Sequence, residues 1–248
     1  MAALLQWLRF DKTSTPPERV GVRTYWGELL DGAVDQEWQS VEVVMPKKGS
    51  GASDRKDNLV LIEDLLSRDE CARLVSSAEA VGFGETGFPK EYRGNLRLIT
   101  TDPTLADALW TRLAPFVPAI AVTDGTLWDA YGLNERFRMA RYSPGDHFGT
   151  HVDAYFERSS RDRSMFTVNC YLNDVIDGGA TRFFDSRTDT EASYSVAPVA
   201  GRAVAFRQPP AVKLYHDGER LGSGVKYLLR TDVMYRRRDA SQERVAAS

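Results

Sequence analysis

From Arg136 to Tyr235 the chain runs through six short segments rich in β-branched and aromatic residues, with no helical repeat between any two of them. They are Arg136–Tyr142, Ser164–Leu172, Thr181–Phe184, Ser193–Val196, Arg202–Arg207 and Lys226–Tyr235, divided by turns of Gly, Asp, Asn and Pro. Such runs between turn residues read as strands. Parallel neighbours would need long crossovers, usually helices, and this stretch supplies none. The strands are therefore expected to pair antiparallel and to bury their inner faces in a double-sheet jelly roll.

Helices belong before that core. Ser67 and Glu70 have the spacing of a capping box, in which the hydroxyl accepts an orphan amide and the carboxylate reaches back, while Leu65 and Leu66 staple the start. Cys71, Leu74, Val75, Ala78 and Val81 follow at helical spacing until Gly82, which supplies a stop. A second helix follows Asp102 and Pro103, with Leu105, Leu109, Leu113 and Phe116 as its apolar stripe and Pro115 and Pro118 at its end. Leu59–Ile62 reads as a short strand ahead of the first helix. The fold class is then α+β, mainly β: a double-stranded β-helix with N-terminal flanking helices.

Residues 1–56 carry Pro16, Pro17, scattered charges and one alternating stretch, Ser40–Met45, before the polar run from Lys47 to Lys56. That run reads as a flexible connector. We expect an extension over 1–56 that can be removed without unfolding the rest, a catalytic-size domain over 57–238, and a tail over 239–248.

Thirty-five acidic against 32 basic residues leave a net charge of −3, so no whole-chain field favours nucleic acid. Cys71 and Cys170 lie in apolar periodic segments and are expected to be buried free thiols. Met1–Phe10 is too short to span a bilayer, is broken by Gln6 and Arg9, and lacks a basic leader. The expectation is a soluble cytoplasmic protein without a membrane partner; its oligomeric state is left open.

Three histidines occur: His147, His151 and His216. In His151-Val152-Asp153 an imidazole and a carboxylate stand two positions apart, on one face of an extended strand. An H-x-D alone is weak, because it arises often by chance. With His216, which follows the strand ending near Gln208, it would make two imidazoles and one carboxylate, a facial set suited to Fe(II) that leaves positions free for substrate and oxygen. A catalytic zinc or manganese site is the rival on ligand types alone. Lys226, ten positions after His216, favours iron. A dicarboxylate cosubstrate chelating the metal at one end needs a cation at the other, and a lysine on a core-facing strand is costly unless it meets an anion.

Four ordered motifs then carry a resemblance: Arg141-Tyr-Ser-Pro-Gly-Asp-His-Phe-Gly-Thr-His-Val-Asp153; Val168-Asn-Cys-Tyr-Leu-Asn-Asp174; Gly178-Gly-Ala-Thr-Arg-Phe-Phe184; and His216 with Gly224-Val-Lys-Tyr227. From about Asn58 to Arg236 the chain resembles the prolyl 4-hydroxylase type of Fe(II)/2-oxoglutarate-dependent dioxygenase. The resemblance implies His151, Asp153 and His216 as iron ligands and Lys226 as the partner of the distal carboxylate of 2-oxoglutarate. It implies a phenolic hydrogen bond from Tyr171 to that cosubstrate and Thr181 in the same pocket wall, with Arg230, two strand steps from Lys226, as the reserve anchor. Molecular oxygen is the co-reactant, ascorbate an optional reductant, and hydroxylation of a C–H bond with release of succinate and CO2 the reaction. Halogenation is disfavoured, because Asp153 fills the position a halide would need.

The substrate is expected to be a peptidyl or protein residue, with a free amino acid or other small molecule as the alternative and a non-catalytic jelly-roll binding module as the further one. Arg93, Asn95 and Arg97 alternate, so one face of that piece offers two guanidinium groups and an amide; they either grip substrate or pair with surface acids. Tyr142 either leans over the metal pocket or packs beneath it. His147 is expected to be a loop residue, since Pro144, Gly145 and Gly149 break any helix that would bring it to His151. The charged stretch 154–163 reads as either a lid or a solvated loop.

Overall fold

The capping box closes as its spacing predicts: in the computed structural model, which describes residues 22–31, 40–42 and 58–239, the Glu70 amide donates to Ser67 Oγ (3.1 Å) and the Ser67 amide to Glu70 Oε2 (2.7 Å). Helix α1 (Arg68–Val81) follows, ending at Gly82 with φ +87°. Helix α2 (Pro103–Leu113) starts from Asp102, whose Oδ1 accepts the Leu105 amide, and passes into a 3-10 turn over Ala114–Phe116.

Around the helices run β1 (Val22–Arg23), β2 (Ser40–Glu42), β3 (Leu59–Ile62), β4 (Gly84–Glu85), β5 (Leu96–Thr101), β6 (Ile120–Thr123), β7 (Thr126–Leu133) and β8 (Arg136–Tyr142). Then come β9 (Phe148–His151), β10 (Glu157–Ser159), β11 (Asp162–Tyr171), β12 (Thr181–Phe184), β13 (Tyr194–Val196), β14 (Ala203–Arg207), β15 (Tyr215–Gly218) and β16 (Lys226–Arg237). The larger sheet runs β1-β5-β8-β16-β11-β14-β3-β2, with β4, β6, β7 and β10 attached along it; the smaller runs β13-β12-β15-β9. Among the described residues every pairing is antiparallel except the two-residue β1–β5 contact. The jelly roll expected from the strand pattern is the fold, and the functional cavity lies between its two sheets. No helix among the described residues is long and apolar enough to cross a membrane.

One apolar cluster joins α1 and α2 to the outer face of the large sheet, and a second, containing Tyr142, Tyr171, Phe183 and Phe206, fills the space between the sheets. Cys71 and Cys170 are buried free thiols in the first cluster, and burial pushes both thiols up to about 12, which keeps them protonated and inert.

Residues 22–31, placed above in a removable extension, pack on this core. Trp26 is buried in the first cluster. Asp102, fully buried, accepts hydrogen bonds from Thr24 Oγ1 (2.9 Å) and the Trp26 amide through the oxygen left over from its helix-capping role. Arg112 forks onto Glu70 (2.7 and 2.9 Å) and donates to the Asp31 carbonyl (2.7 Å), so a buried ion pair between the two helices also holds the N-terminal segment. Ser40–Glu42 pairs with β3 at the sheet edge; Val43–Met45 and the Lys47–Lys56 connector lie outside the described residues, as do 240–248. Removing residues 1–56 would therefore expose an apolar pocket and strip partners from two buried charged groups. Trp26→Ala alone is expected to cost roughly 3–5 kcal/mol, read as a lowered urea midpoint at unchanged slope; a shift below 1 kcal/mol would show that the segment is dispensable.

Candidate active site

His151 ends β9 and His216 lies on β15, the strand paired with it, where the two are register partners. Their ring centroids are 4.2 Å apart. Asp153, two residues beyond β9, turns its carboxylate between them: Oδ1 is 3.5 Å from His151 Nε2 and Oδ2 is 3.7 Å from His216 Nε2. All three ligand atoms lie within 4.8 Å of one another. Each imidazole is oriented by its other nitrogen, since His151 Nδ1 meets the Gly149 carbonyl (2.9 Å) and His216 Nδ1 the Leu214 carbonyl (3.0 Å). Hydrogen bonds of that kind set the tautomer and leave Nε2 as a bare electron-pair donor. Burial and the neighbouring His151 draw His216 down to about 4, which keeps it neutral. Burial would raise the Asp153 carboxyl, yet Arg230 and the two imidazoles hold it well below the usual carboxylate range.

A buried polar chain fixes the carboxylate from behind. Thr167 Oγ1 donates to Asp153 Oδ2 (2.8 Å), Gln208 Nε2 donates to Thr167 Oγ1 (3.0 Å) and to Asp232 Oδ1 (2.9 Å), and Arg230 Nη2 lies 3.2 Å from Asp153 Oδ2. On the other side the Phe148 ring stacks on His151 at 3.8 Å, and the Arg93 guanidinium covers Phe148 at 4.3 Å.

The same cavity, about 540 Å³ with its open mouth, has Lys226 on its wall. Lys226 is 2% exposed, and its ammonium donates to the Gly179 carbonyl and faces the rings of Tyr142 (5.1 Å) and Tyr171 (5.6 Å). Gly178 and Gly179 both take positive φ (+72° and +74°), and a Cβ on Gly178 would stand 2.1 Å from the Arg220 carbonyl oxygen; only glycine lets this loop close over the lysine. Tyr171 Oη donates to Thr181 Oγ1 (2.7 Å) beside it. Asp217, the carboxylate that acts most strongly on Lys226, is itself forked by Arg182 (2.6 and 3.0 Å). Burial lowers Lys226 to about 8, the mark of a cation held without a full partner.

The sequence of residues 137–231 matches the family described as the 2OG-Fe(II) oxygenase superfamily, a stretch that contains the whole His-Asp-His cluster and Lys226. This stretch is a 2OG-Fe(II) oxygenase domain. The protein is accordingly a dioxygenase, with Fe(II) as metal and 2-oxoglutarate as cosubstrate. Its fold is similar to that of a viral collagen prolyl hydroxylase from Paramecium bursaria Chlorella virus-1 solved with 2-oxoglutarate, at 21% identity over 72% of this chain and 96% of that one, TM-score 0.52. It is similar also to a Trichoplax adhaerens prolyl hydroxylase in complex with a hypoxia-inducible-factor peptide fragment, at 16% identity over 77% and 88%, TM-score 0.52. A search of curated protein sequences found no match.

The donors of this oxygenase domain suit the metal: two imidazoles and one ionised carboxylate, each already oriented by a hydrogen-bond partner. Other expected residues land as follows. Arg93 and Arg97 line the cavity, but Asn95 does not; it is buried, donates to the Leu96 carbonyl (2.8 Å) and accepts Arg93 Nε (2.9 Å), so it positions an arginine and does not face substrate. Tyr142 is the register partner of Lys226 and belongs to the lysine end of the cavity. His147 stays outside the His-Asp-His cluster. Residues 154–163, read as lid or solvated loop, form the β10–β11 hairpin, tied down by Phe156 N to Ser164 Oγ (2.7 Å) and Tyr131 Oη to Asp162 (2.7 Å). Sequence reasoning passed over Arg138, although it shares the parity of Ala140 and Tyr142 on β8 and so had to face the same side of the sheet.

Proposed function

We propose that this dioxygenase hydroxylates a C–H bond of a peptidyl or protein residue, with His151, Asp153 and His216 as the metal ligands and Lys226 as the anchor of the cosubstrate. The observation that carries the reading is the placement of one buried, underpaired ammonium and one oriented His-Asp-His cluster in the same cavity. The chemistry supplied at the metal is oxidation of a C–H bond to C–OH, coupled to conversion of 2-oxoglutarate and O2 to succinate and CO2. The chain's own residues do the rest. Thr167, Gln208 and Arg230 hold Asp153 ionised and aimed; the Gly149 and Leu214 carbonyls keep both imidazoles presenting Nε2; Lys226, with the Tyr171 and Thr181 hydroxyls at its side, receives the distal carboxylate. Lys226 is favoured over Arg230 because the Arg230 guanidinium is already engaged by Asp153 and Asp232. The peptidyl target follows the peptide-bound Trichoplax protein and the resemblance in sequence.

The test is a succinate-release screen of iron-loaded protein against peptides and small molecules. Turnover is expected with 2-oxoglutarate and Fe(II) together and with neither alone. His147→Ala is expected to keep metal affinity within about twofold, as a residue whose side chain offers the cluster nothing; a loss comparable to that of His151→Ala would mean that the ligand set is misassigned.

A further inference from the structure

Of the three metal-ligand side chains, two are placed by strand pairing and one is not. His151 and His216 are register partners across β9 and β15, whereas Asp153 lies between the end of β9 at His151 and the start of β10 at Glu157, outside both strands. A ladder fixes a side chain through its backbone, so Asp153 has to be fixed another way. What holds it is a row of hydrogen bonds that begins three residues further along the same stretch. The Phe156 amide donates to Ser164 Oγ (2.7 Å), and Ser164 Oγ donates to Gln208 Oε1 (2.7 Å). Gln208 Nε2 donates to Thr167 Oγ1 (3.0 Å), and Thr167 Oγ1 donates to Asp153 Oδ2 (2.8 Å).

The row runs one way. Gln208 Nε2 also donates to Asp232 Oδ1 (2.9 Å), and turning the amide over would set its oxygen against that carboxylate. With the amide fixed, the Ser164 and Thr167 hydroxyls, each owning a single proton, direct it toward Gln208 and Asp153. Every link then points from donor to acceptor, and the last ends on an anion. Links polarised in one sense strengthen one another, and losing one inside the protein is costly. Ser164, Gln208 and Thr167 are each no more than 1% exposed, so solvent does not replace a missing link.

The far end of the row is different. Ser164 also donates its amide to the Phe156 carbonyl (2.7 Å), so this pair closes the base of the β10–β11 hairpin. Among the described residues β10 pairs with β11 alone and is exposed along all three of its residues. The hairpin is thus held to the core on one side only, while its base is wired to the carboxylate that the metal needs.

We infer that Ser164 and Gln208 are positioning residues for the metal: through them the seating of the β10–β11 hairpin sets how well Asp153 is aimed, and metal binding in turn locks the hairpin. Coupling between two sites is reciprocal, so the two effects appear together. This rests on the metal reading above and extends it from the ligands to the hairpin.

The test is hydrogen exchange at the Phe156 amide, read by mass spectrometry, beside Fe(II) affinity read by competition with a chelating dye, both without oxygen. Fe(II) binding to the unaltered protein and its loss in His216→Ala are measured first; failure there would count against the ligand assignment and take this inference with it. Iron is then expected to slow exchange at Phe156 in the unaltered protein by about tenfold or more. Gln208→Met is the deciding variant, because it keeps both the Phe156–Ser164 contact and the backbone from Asp153 to Phe156 and cuts the row between them. It is expected to bind Fe(II) about three- to tenfold more weakly and to lose the slowing by iron. Ser164→Ala cuts the row one link nearer the hairpin, with a similar loss of affinity expected, and decides the question if Gln208→Met fails to melt cooperatively. Fe(II) affinity within about twofold of the unaltered value in either folded variant would overturn the inference. So would the absence of any slowing in the unaltered protein, or equal slowing in Gln208→Met, since the coupling would then run along the backbone.

Discussion

Asp153→Ala protein is expected to bind Fe(II) at least ~100-fold more weakly and to release no measurable succinate. Loss of a partner one bond further out already costs 10–100-fold in metal affinity, and Asp153 is the only carboxylate of the cluster. Its removal also leaves Arg230 and Thr167 without the oxygen they share, so one cationic and one polar group would face the metal where one anion did. His216→Ala should do comparable damage. Thr167→Val is the graded control: it keeps the ligand but deletes the 2.8 Å hydrogen bond that aims it, and an affinity loss of about tenfold is expected, read by competition with a chelating dye. Full succinate release by Asp153→Ala would remove the triad from consideration.

The second large effect concerns Lys226. Removing a hydrogen-bonded, desolvated charge partner typically costs on the order of 2–5 kcal/mol, or roughly 30-fold to several thousand-fold in affinity, so Lys226→Ala should still bind iron yet need that much more 2-oxoglutarate. Arginine in its place should recover part of the loss, because it keeps the charge but alters reach and fork geometry. Arg230→Ala should behave the other way: its guanidinium lies 3.2 Å from Asp153, so metal affinity falls first. An unchanged 2-oxoglutarate requirement in Lys226→Ala, with a raised one in Arg230→Ala, would transfer the anchor to Arg230.

The lysine also sets a pH dependence. Burial lowers it from its ordinary 10.5 to about 8, so the ligand-free fold takes up the cost of the charge below pH 8 and sheds it as pH climbs from about 8 to 10.5. Stability of the ligand-free protein gains over that window. Binding of 2-oxoglutarate needs the ammonium and should weaken over the same window, by up to about tenfold per pH unit. A titration of 2-oxoglutarate affinity against pH reads this directly, and Lys226→Arg should flatten it.

Much of this architecture was legible because local chemistry dictates it. Ser67 with Glu70, and Asp102 with Pro103, each satisfy orphan amides within one turn, and both helices begin there. Arg136–Tyr142 and Thr181–Phe184 are strands over the very residues expected, since their side chains fill both faces of a pleated surface. Several strands escaped notice, β5, β6 and β7 among them, and the two that matter most for the site are β9 and β15, Phe-Gly-Thr-His and Tyr-His-Asp-Gly. Both are short and poor in β-branched residues, and they owe their extended form to pairing with strands far away in sequence, β15 with both β9 and β12, which no local preference reveals. These are the strands that bring His151 to His216.

What sequence by itself determined about this protein is the set of parts: a β-core without crossover helices, two capped helices, two imidazoles with a carboxylate, and a lysine ten residues after the last of them. Each depends on contacts within a few residues or on residue type alone. Tertiary structure alone decided that Glu70, besides capping α1, pairs with Arg112 across to α2, that Asp102 and Arg112 draw residues 24–31 onto the core, that Asn95 holds an arginine instead of facing the cavity, and that Arg97, Arg138 and Arg230 from three strands form one cationic wall. Those facts depend on strand register and on which buried charge finds which partner, and the hydrogen bonds that tie Arg112 to Glu70, Thr24 to Asp102 and Arg112 to Asp31 join residues 42 to 81 positions apart, where the chain's own order carries no distance information.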